Sequence, residues 1–232
     1  TSSRGGKKMW CVAKLDEEYI EKMEDVLAIY EKPLSPAEPV VCLDEKSVTL
    51  HEDVRDARAM KPGSVAKRDY EYKRCGTANA FCAVEGKAGV HFTEITPTRS
   101  GAELAEVLKK IGDHYPQAQT IHLVMDNLNT HRRKCLVDRF GEEEGGKFWD
   151  RFTVHYTPKH GSWLNQAEIE ISLLARQCLA RRRLGNIEKL REEAGAWNGH
   201  ANENKVKIDW KFDRNKARKK FGYQPIIKRS ET

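Results

Sequence analysis

The chain has 232 residues, 33% of them charged, and a formal net charge of +6 at pH 7. This length suits one domain with appendages, and the mild charge does not by itself identify a nucleic-acid binder. No apolar run is long enough to span a membrane and no signal-peptide pattern is present, so we expect no membrane partner. The six cysteines are scattered without a CxxC pair, which indicates free thiols in a reducing cytoplasm.

Residues 1–36 are predicted to form a polar disordered start, an amphipathic helix and a proline-rich linker. Apolar side chains recur at helical spacing between residues 16 and 32, at Ile20, Met23, Leu27 and Tyr30. Pro33 and Pro36 end this helix, because proline removes a backbone donor.

The first predicted strand, residues 39–43, is a short apolar run with Asp44 at its C-terminal end. Residues 50–76 follow without a clear period and are rich in cations: Arg55, Arg58, Lys61, Lys67, Arg68, Lys73 and Arg74. Two interpretations of this stretch remain open. It is either a solvated loop or an arm beside Asp44 whose cations contact DNA phosphates.

The middle of the chain alternates strand and helix patterns. Residues 78–84 and 89–95 read as two strands, and Ser100 caps a predicted amphipathic helix. With the first strand, the two would form the antiparallel part of a sheet. Residues 152–156 form the fifth predicted strand.

A second apolar run, residues 120–125, ends at Asp126 and reads as a buried strand that completes a βαβ crossover. Asn127 follows directly, and short polar residues of this kind make a turn that can position the aspartate. His131 suits either a supporting role or the start of the next helix.

A helix is predicted from about residue 164 to residue 184, with one broad apolar face: Leu164, Ala167, Ile171, Leu174, Ala175, Cys178 and Leu179. Glu168 is predicted to project into this face. A lone carboxylate pointed at a core is costly unless it is paired or bound to a metal.

Two other features of this helix bear on Glu168. Glu170 lies about 200° away around the helix, so we expect it at the edge of the apolar face, near water or Arg176. Alternatively, Asn165 and Glu168 form a capping box that starts the helix.

Asp44, Asp126 and Glu168 are predicted to converge, since ligands gather at the carboxyl ends of strands in open α/β sheets. Three close carboxylates repel one another unless cations lie between them. Hard divalent ions prefer oxygen ligands, so we expect a divalent metal site.

Cations that could contact DNA phosphates also flank the glutamate helix: Lys159, Arg181, Arg182 and Arg183. The last three precede Gly185, where cations equally suit the helix dipole. A second helix is expected from Asn186, then an extended arm at residues 206–212. The basic tail, residues 214–220, either lies on DNA or is a solvated helix face.

The order Asp, then Asp-Asn-x-x-x-His, then Ser-x-Leu-Asn-x-x-Glu runs through residues 40–45, 125–131 and 156–168. It resembles the DDE transposases of bacterial insertion sequences and of the mariner superfamily. The resemblance implies an RNase H-like α/β fold, with a mixed five-stranded sheet flanked by helices. It places the catalytic core at residues 37–185 and a C-terminal helix, arm and basic tail at residues 186–232.

The resemblance also implies a metal triad, carried over here to Asp44, Asp126 and Glu168. It suggests support from Asn127, His131 and Asn165. The implied cofactors are two Mg²⁺ ions, for which Mn²⁺ substitutes, and the implied chemistry is DNA cleavage followed by strand transfer. The implied partners are transposon ends and target DNA, bound by a homodimer in a bacterial cytoplasm, at the nucleoid when on DNA.

Two other functions stay open. An RNase H-like nuclease that cleaves without joining would use the same triad. A domesticated DNA-binding protein with a vestigial site is the non-enzymatic alternative, although all three carboxylates are present in the sequence.

Overall fold

A computed structural model describes residues 15–127, 132–180 and 182–224 of the chain. The strands within them are β1 (Val40–Asp53), β2 (Tyr72–Glu85), β3 (Val90–Thr96), β4 (Ile121–Met125) and β5 (Phe152–Tyr156). The helices are α1 (Glu17–Glu31), α2 (Gly101–His114), α3 (Arg133–Phe140), α4 (Glu142–Trp149), α5 (Ala167–Leu173), α6 (Ile187–Glu203) and α7 (Arg214–Phe221). A 3₁₀ turn, Ser162–Leu164, precedes α5, and a π-helical turn, Leu174–Leu179, follows it. No helix in these ranges is long and apolar enough to cross a membrane.

The five strands form one mixed sheet in the order β3-β2-β1-β4-β5. The strands β1, β2 and β3 are antiparallel neighbours, whereas β4 pairs parallel with both β1 and β5. This is the mixed five-stranded α/β sheet expected from the sequence. The helix α2 supplies the crossover between β3 and β4, which is the connection that a parallel pair requires.

The strand β1 is longer than its apolar run predicted. Its parallel pairing with β4 ends at Cys42, but its antiparallel pairing with β2 continues to Asp53 opposite Tyr72. The expectation that Asp44 ends the strand is therefore wrong. Because β2 keeps supplying backbone hydrogen bonds, the polar residues after Asp44 remain extended as a long hairpin.

Helices cover both faces of the sheet. On one face α2, α3 and α4 pack over a core that includes Phe81, Leu108 and Leu123. On the other face α1 and the start of α5 bury Cys42 and Val124. Since side chains alternate along a strand, Asp44, two residues after Cys42, points to the face that α1 and α5 cover.

The helices α1 and α7 are tied to each other on this second face. Arg214 of α7 donates to the Glu31 carboxylate of α1 at 2.7 Å. Arg218 donates to Glu24 of α1 at 2.9 Å. The basic tail therefore forms a helix, and two of its arginines pair with carboxylates of α1, so its face is not fully solvated.

Candidate active site

The parallel register of β1 and β4 sets the two aspartates side by side. Cys42 lies opposite Val124 in this pairing; Asp44 follows two residues later within β1, and Asp126 follows two residues later, just past the end of β4. Neighbouring strands lie about 4.8 Å apart, so the two residues occupy adjacent positions where β4 ends.

Asp44 is the most perturbed carboxyl group of the site. Burial raises the pKa of Asp44 to about 7, although the backbone N–H of Glu45 donates to Asp44 Oδ1 at 2.8 Å and opposes this rise. The charges of Glu168, Glu45 and Asp126 raise the pKa of Asp44 further. The three predicted carboxylates therefore lie close enough for their charges to act on one another.

The prediction of which glutamate is buried is wrong. Glu168 is exposed, whereas Glu170 has no exposed surface and lies on the buried side of α5, with Ala167 and Leu174. The error arises because the predicted helix was taken as regular from Leu164. In the structure α5 starts only at Ala167, after a 3₁₀ turn, so Leu164 does not set its phase.

Glu170 is satisfied by a partner that the sequence did not indicate. Its Oε1 lies 2.8 Å from His91 Nδ1 on β3. The predicted position of Glu170 near water or Arg176 is therefore wrong as well. Alternation along β3 was too weak a signal to mark His91 as an inward residue.

No capping box forms at Glu168. The backbone N–H of Asn165, which such a box would bind, donates to the carbonyl of Ser162 at 2.7 Å. Instead, the Asn165 side chain ties the start of α5 to β1. Its Nδ2 donates to the carbonyl of Leu43 at 2.8 Å, and its Oδ1 accepts from Ala167 N–H at 3.1 Å. The carbonyl it holds belongs to the residue just before Asp44.

A groove opens beside Asp126. Asn127 lines this groove next to Asp126. The remaining lining residues come from the start of α1 and from the segment before α5: Asp16, Glu18, Tyr19, Lys22, Thr157, Pro158, Lys159, His160 and Ser162. Lys159 is exposed at this groove. His131, the other predicted supporting residue, lies outside the described residues.

The cations of residues 50–76 are all exposed on the hairpin that β1 and β2 extend: Arg55, Arg58, Lys61, Lys67, Arg68, Lys73 and Arg74. Arg68 also contacts Asp53 at 3.0 Å. The tip is ordered by backbone bridges that pair Arg58 with Lys67 and Lys61 with Ser64. The structure therefore describes an arm with local backbone pairing and exposed cations, of which Arg55 and Arg68 pair with Asp69 and Asp53.

The cations after α5 are engaged within the chain. Arg183 donates to the carbonyls of Glu71 and Asp69 at 2.7 and 2.9 Å and pairs with Asp53. Arg182 pairs with Glu193 of α6, and Arg181 lies outside the described residues. Arg183 thus anchors the base of the hairpin and is not displayed for a phosphate.

The potential metal ligands of the candidate site are carboxylate oxygens. Among the described residues, no three His, Cys, Asp or Glu side chains are grouped closely enough to hold a metal ion as they stand. The donor set of Asp44, Asp126 and Glu168 nevertheless fits Mg²⁺ or Mn²⁺, because these ions prefer carboxylate oxygen. A cation would also offset the mutual repulsion that acts on Asp44.

The mixed five-stranded sheet with helices on both faces is an RNase H-like fold, and solved structures share this fold. The Mos1 mariner paired end complex with Mn matches with a TM-score of 0.55 and 15% identity, over 89% of this chain and 63% of that one. The Mos1 strand transfer complex matches with a TM-score of 0.55 and 16% identity, over 89% and 62%. The catalytic domain of the Mos1 mariner transposase matches with a TM-score of 0.52 and 13% identity, over 85% and 91%.

A family profile described as DDE superfamily endonuclease matches residues 39–191, and the chain belongs to this family. The resemblance to DDE transposase catalytic domains and the RNase H-like fold are both confirmed. No curated protein matches the chain by sequence. The chain spans about 63% of the length of the Mos1 chain in the paired end complex.

Proposed function

We propose that the chain is the catalytic domain of a DNA transposase, which cleaves DNA and joins the freed end to a target through Asp44, Asp126 and Glu168. The observation that carries this proposal is the parallel pairing of Cys42 with Val124, since Asp44 and Asp126 each follow two residues after this last pair. Membership of the DDE superfamily endonucleases supports phosphodiester cleavage as the reaction.

Two Mg²⁺ ions, replaceable by Mn²⁺, would supply activation of the attacking hydroxyl and stabilisation of the leaving oxygen when bound. The chain's own part is to hold three carboxylates in place. Glu45 N–H orients Asp44, and Asn165 fixes the start of α5 beside Leu43. A Mos1 structure of the same fold is described as a complex with Mn, which supports a divalent ion.

DNA is the proposed partner. The groove beside Asp126 runs between Lys22 and Lys159, and the hairpin arm adds exposed cations for phosphates. The Mos1 structures are described as paired end complexes, one of them with a left transposon end, and as a strand transfer complex, which supports transposon-end DNA as a partner. We further propose that target DNA is a second partner and that a homodimer binds both. We also propose the division into a core at residues 37–185 with terminal accessory segments, and a cytoplasmic site of action.

The alternative is a nuclease that cleaves without joining. Cleavage and strand transfer are both in-line displacements at phosphorus, so one triad serves either reaction. Family membership is equally compatible with both, and only the products separate them.

Nicking of supercoiled plasmid with Mn²⁺ tests the proposal. Asp126→Asn and Glu168→Gln should each lose nicking by several orders of magnitude. Because Glu168 is exposed, its variant should keep its unfolding free energy within about 0.5 kcal/mol. Full nicking activity in both variants would overturn the triad.

A pre-cut oligonucleotide with a free 3′-hydroxyl tests joining. The transposase proposal predicts longer joined products in the presence of target DNA, and the same two variants should not form them. Nicking of plasmid without any joined product from several oligonucleotides would favour the nuclease.

A further inference from the structure

The contact between His91 and Glu170 takes no part in the proposed reaction, yet it is the most completely buried ion pair of the described residues. The exposed fractions of the two side chains are 1% and 0%. His91 Nδ1 lies 2.8 Å from Glu170 Oε1, and His91 Nε2 lies 2.8 Å from the carbonyl oxygen of Val206. Glu170 Oε2 is buried without a hydrogen-bond partner.

The donors and acceptors around His91 restrict where its ring hydrogens lie. A carbonyl oxygen only accepts, so Nε2 of His91 carries a hydrogen and donates to Val206. Nδ1 therefore either donates to a Glu170 carboxylate from a charged ring or accepts from a protonated Glu170. In both cases one proton lies between the two side chains, and the angle of α5 is constrained by a directional bond.

Few polar contacts hold α5, and its apolar contacts with the sheet come from Ala167 and Ile171. The helix has 7 residues, and the polar ties at its start are Asn165 and the Tyr30 hydroxyl, which accepts from Gln166 N–H at 3.4 Å. Each residue turns a helix by about 100°, so a small rotation of α5 would carry Glu168 away from Asp44. The bond from His91 reaches α5 two residues beyond Glu168 and opposes that rotation.

The backbone of His91 is itself held on both sides of its Cα by one side chain. The side chain of Asn202 on α6 accepts from His91 N–H at 2.8 Å and donates to the His91 carbonyl at 2.9 Å. A buried carboxylate with one unpartnered oxygen is a poor source of stability, because desolvation offsets much of the attraction. A geometric role therefore suits this buried pair better than a stabilising one.

We propose that His91 and Glu170 are positioning residues, which fix the rotation of α5 so that Glu168 faces Asp44 and Asp126. This inference rests on the proposed function, since it assumes that Glu168 is a metal ligand. It assigns a role to the buried Glu170, which lies outside the Ser-x-Leu-Asn-x-x-Glu motif.

The test compares Glu170→Ala, Glu170→Gln and the double variant His91→Leu with Glu170→Met. Mn²⁺ binding is followed by the electron paramagnetic resonance of free Mn²⁺, and plasmid nicking is measured against Mn²⁺ concentration. Groups that orient metal ligands change metal affinity by about 10- to 100-fold when removed, so Glu170→Ala should weaken Mn²⁺ binding by that factor. Glu170→Gln should stay close to the native chain, because its amide can still donate to Nδ1.

The double variant separates position from stability. Apolar replacements of a buried pair often keep or raise stability, so this protein should fold even if Glu170→Ala does not. Its Mn²⁺ binding should still be weakened, since the directional bond is gone. Arg151→Ala is the matched control, because it removes hydrogen bonds to the carbonyls of Gly112 and Tyr115 on the other face of the sheet. It should lower the thermal midpoint without changing Mn²⁺ binding.

Native Mn²⁺ binding in the stable double variant, or an equal loss in Arg151→Ala, would overturn the positioning role alone. If the native chain itself neither binds Mn²⁺ nor nicks DNA, the proposed function fails and the inference fails with it.

Discussion

At the scale of single residues, Glu168 and Glu170 show how two like side chains acquire different chemistry. Glu168 faces solvent near Asp44 and Asp126, where an added cation would be attracted by all three charges. Glu170 faces His91 in the core. Of the two glutamates, the exposed Glu168 is therefore the candidate metal ligand, because a ligand must contact both the ion and the DNA.

The pair of His91 and Glu170 predicts a pH dependence of stability. Burial alone would lower the pKa of His91, but the hydrogen bond and charge of Glu170, with the Val206 carbonyl, raise it above its ordinary value. A folded pKa above the unfolded one stabilises the fold fully below about pH 6.5, and the stabilisation is lost as pH rises through the folded pKa.

Glu170→Gln removes the charge that raises this pKa. The unfolding free energy of the native chain should therefore exceed that of Glu170→Gln most at about pH 6, with the difference shrinking towards about pH 9. Urea unfolding of both proteins without added metal measures this difference. A difference that grows with pH would show that His91 is neutral in the fold.

At the scale of elements, the side chain of Arg183 joins several groups at the base of the arm that β1 and β2 extend. Arg183 is largely buried and reaches three backbone carbonyls of residues 69–71 as well as Asp53. It also lies over the ring of Tyr72, 5.5 Å from its centroid. Without this guanidinium the carbonyls would turn to water and the arm would loosen.

Arg183→Ala should therefore lower the unfolding free energy by about 1.5–3 kcal/mol, the range for hydrogen bonds to a charged group. Amide exchange in residues 54–71 should become faster. Arg182→Ala is the matched control, since its exposed pair with Glu193 should contribute about 0–1 kcal/mol. Equal amide exchange rates in residues 54–71 of the two variants would show that Arg183 does not hold the arm.

The elements also show what the sequence could predict. The buried strand β4 and the Ser100 cap of α2 follow from local pattern, and the structure has both, including a capping box with Glu103. The phase of α5 did not follow, because a 3₁₀ turn and a π-helical turn flank only 7 helical residues. The length of β1 depended on pairing with β2, which is a non-local contact that no local period reports.

At the scale of the whole molecule, the cations fall into two groups: those paired with carboxylates of the chain and those exposed to solvent. The arginines of α7 are neutralised by Glu24 and Glu31 on α1, and Arg183 is neutralised at the base of the hairpin. The cations near the hairpin tip remain exposed. Binding to DNA phosphates should therefore depend on the tip more than on the basic tail.

This distribution decides between the two interpretations of residues 50–76. If the arm contacts DNA, the affinity for duplex DNA should fall steeply with salt, and each cation removed should lower the slope of log K against log salt by about 1. Lys61→Gln combined with Lys67→Gln should then reduce the slope by about 2 and weaken binding alike across sequences.

Fluorescence anisotropy over a salt series measures this slope. The matched control is Lys134→Gln with Lys147→Gln, since both lysines are exposed on α3 and α4 and pair with Asp138 and Glu143. They cover the face of the sheet opposite Asp44, so their removal changes the net charge equally but should leave the slope nearly unchanged. If both double variants give the native slope, residues 50–76 are a solvated loop. If both lower it equally, binding follows net charge rather than the arm.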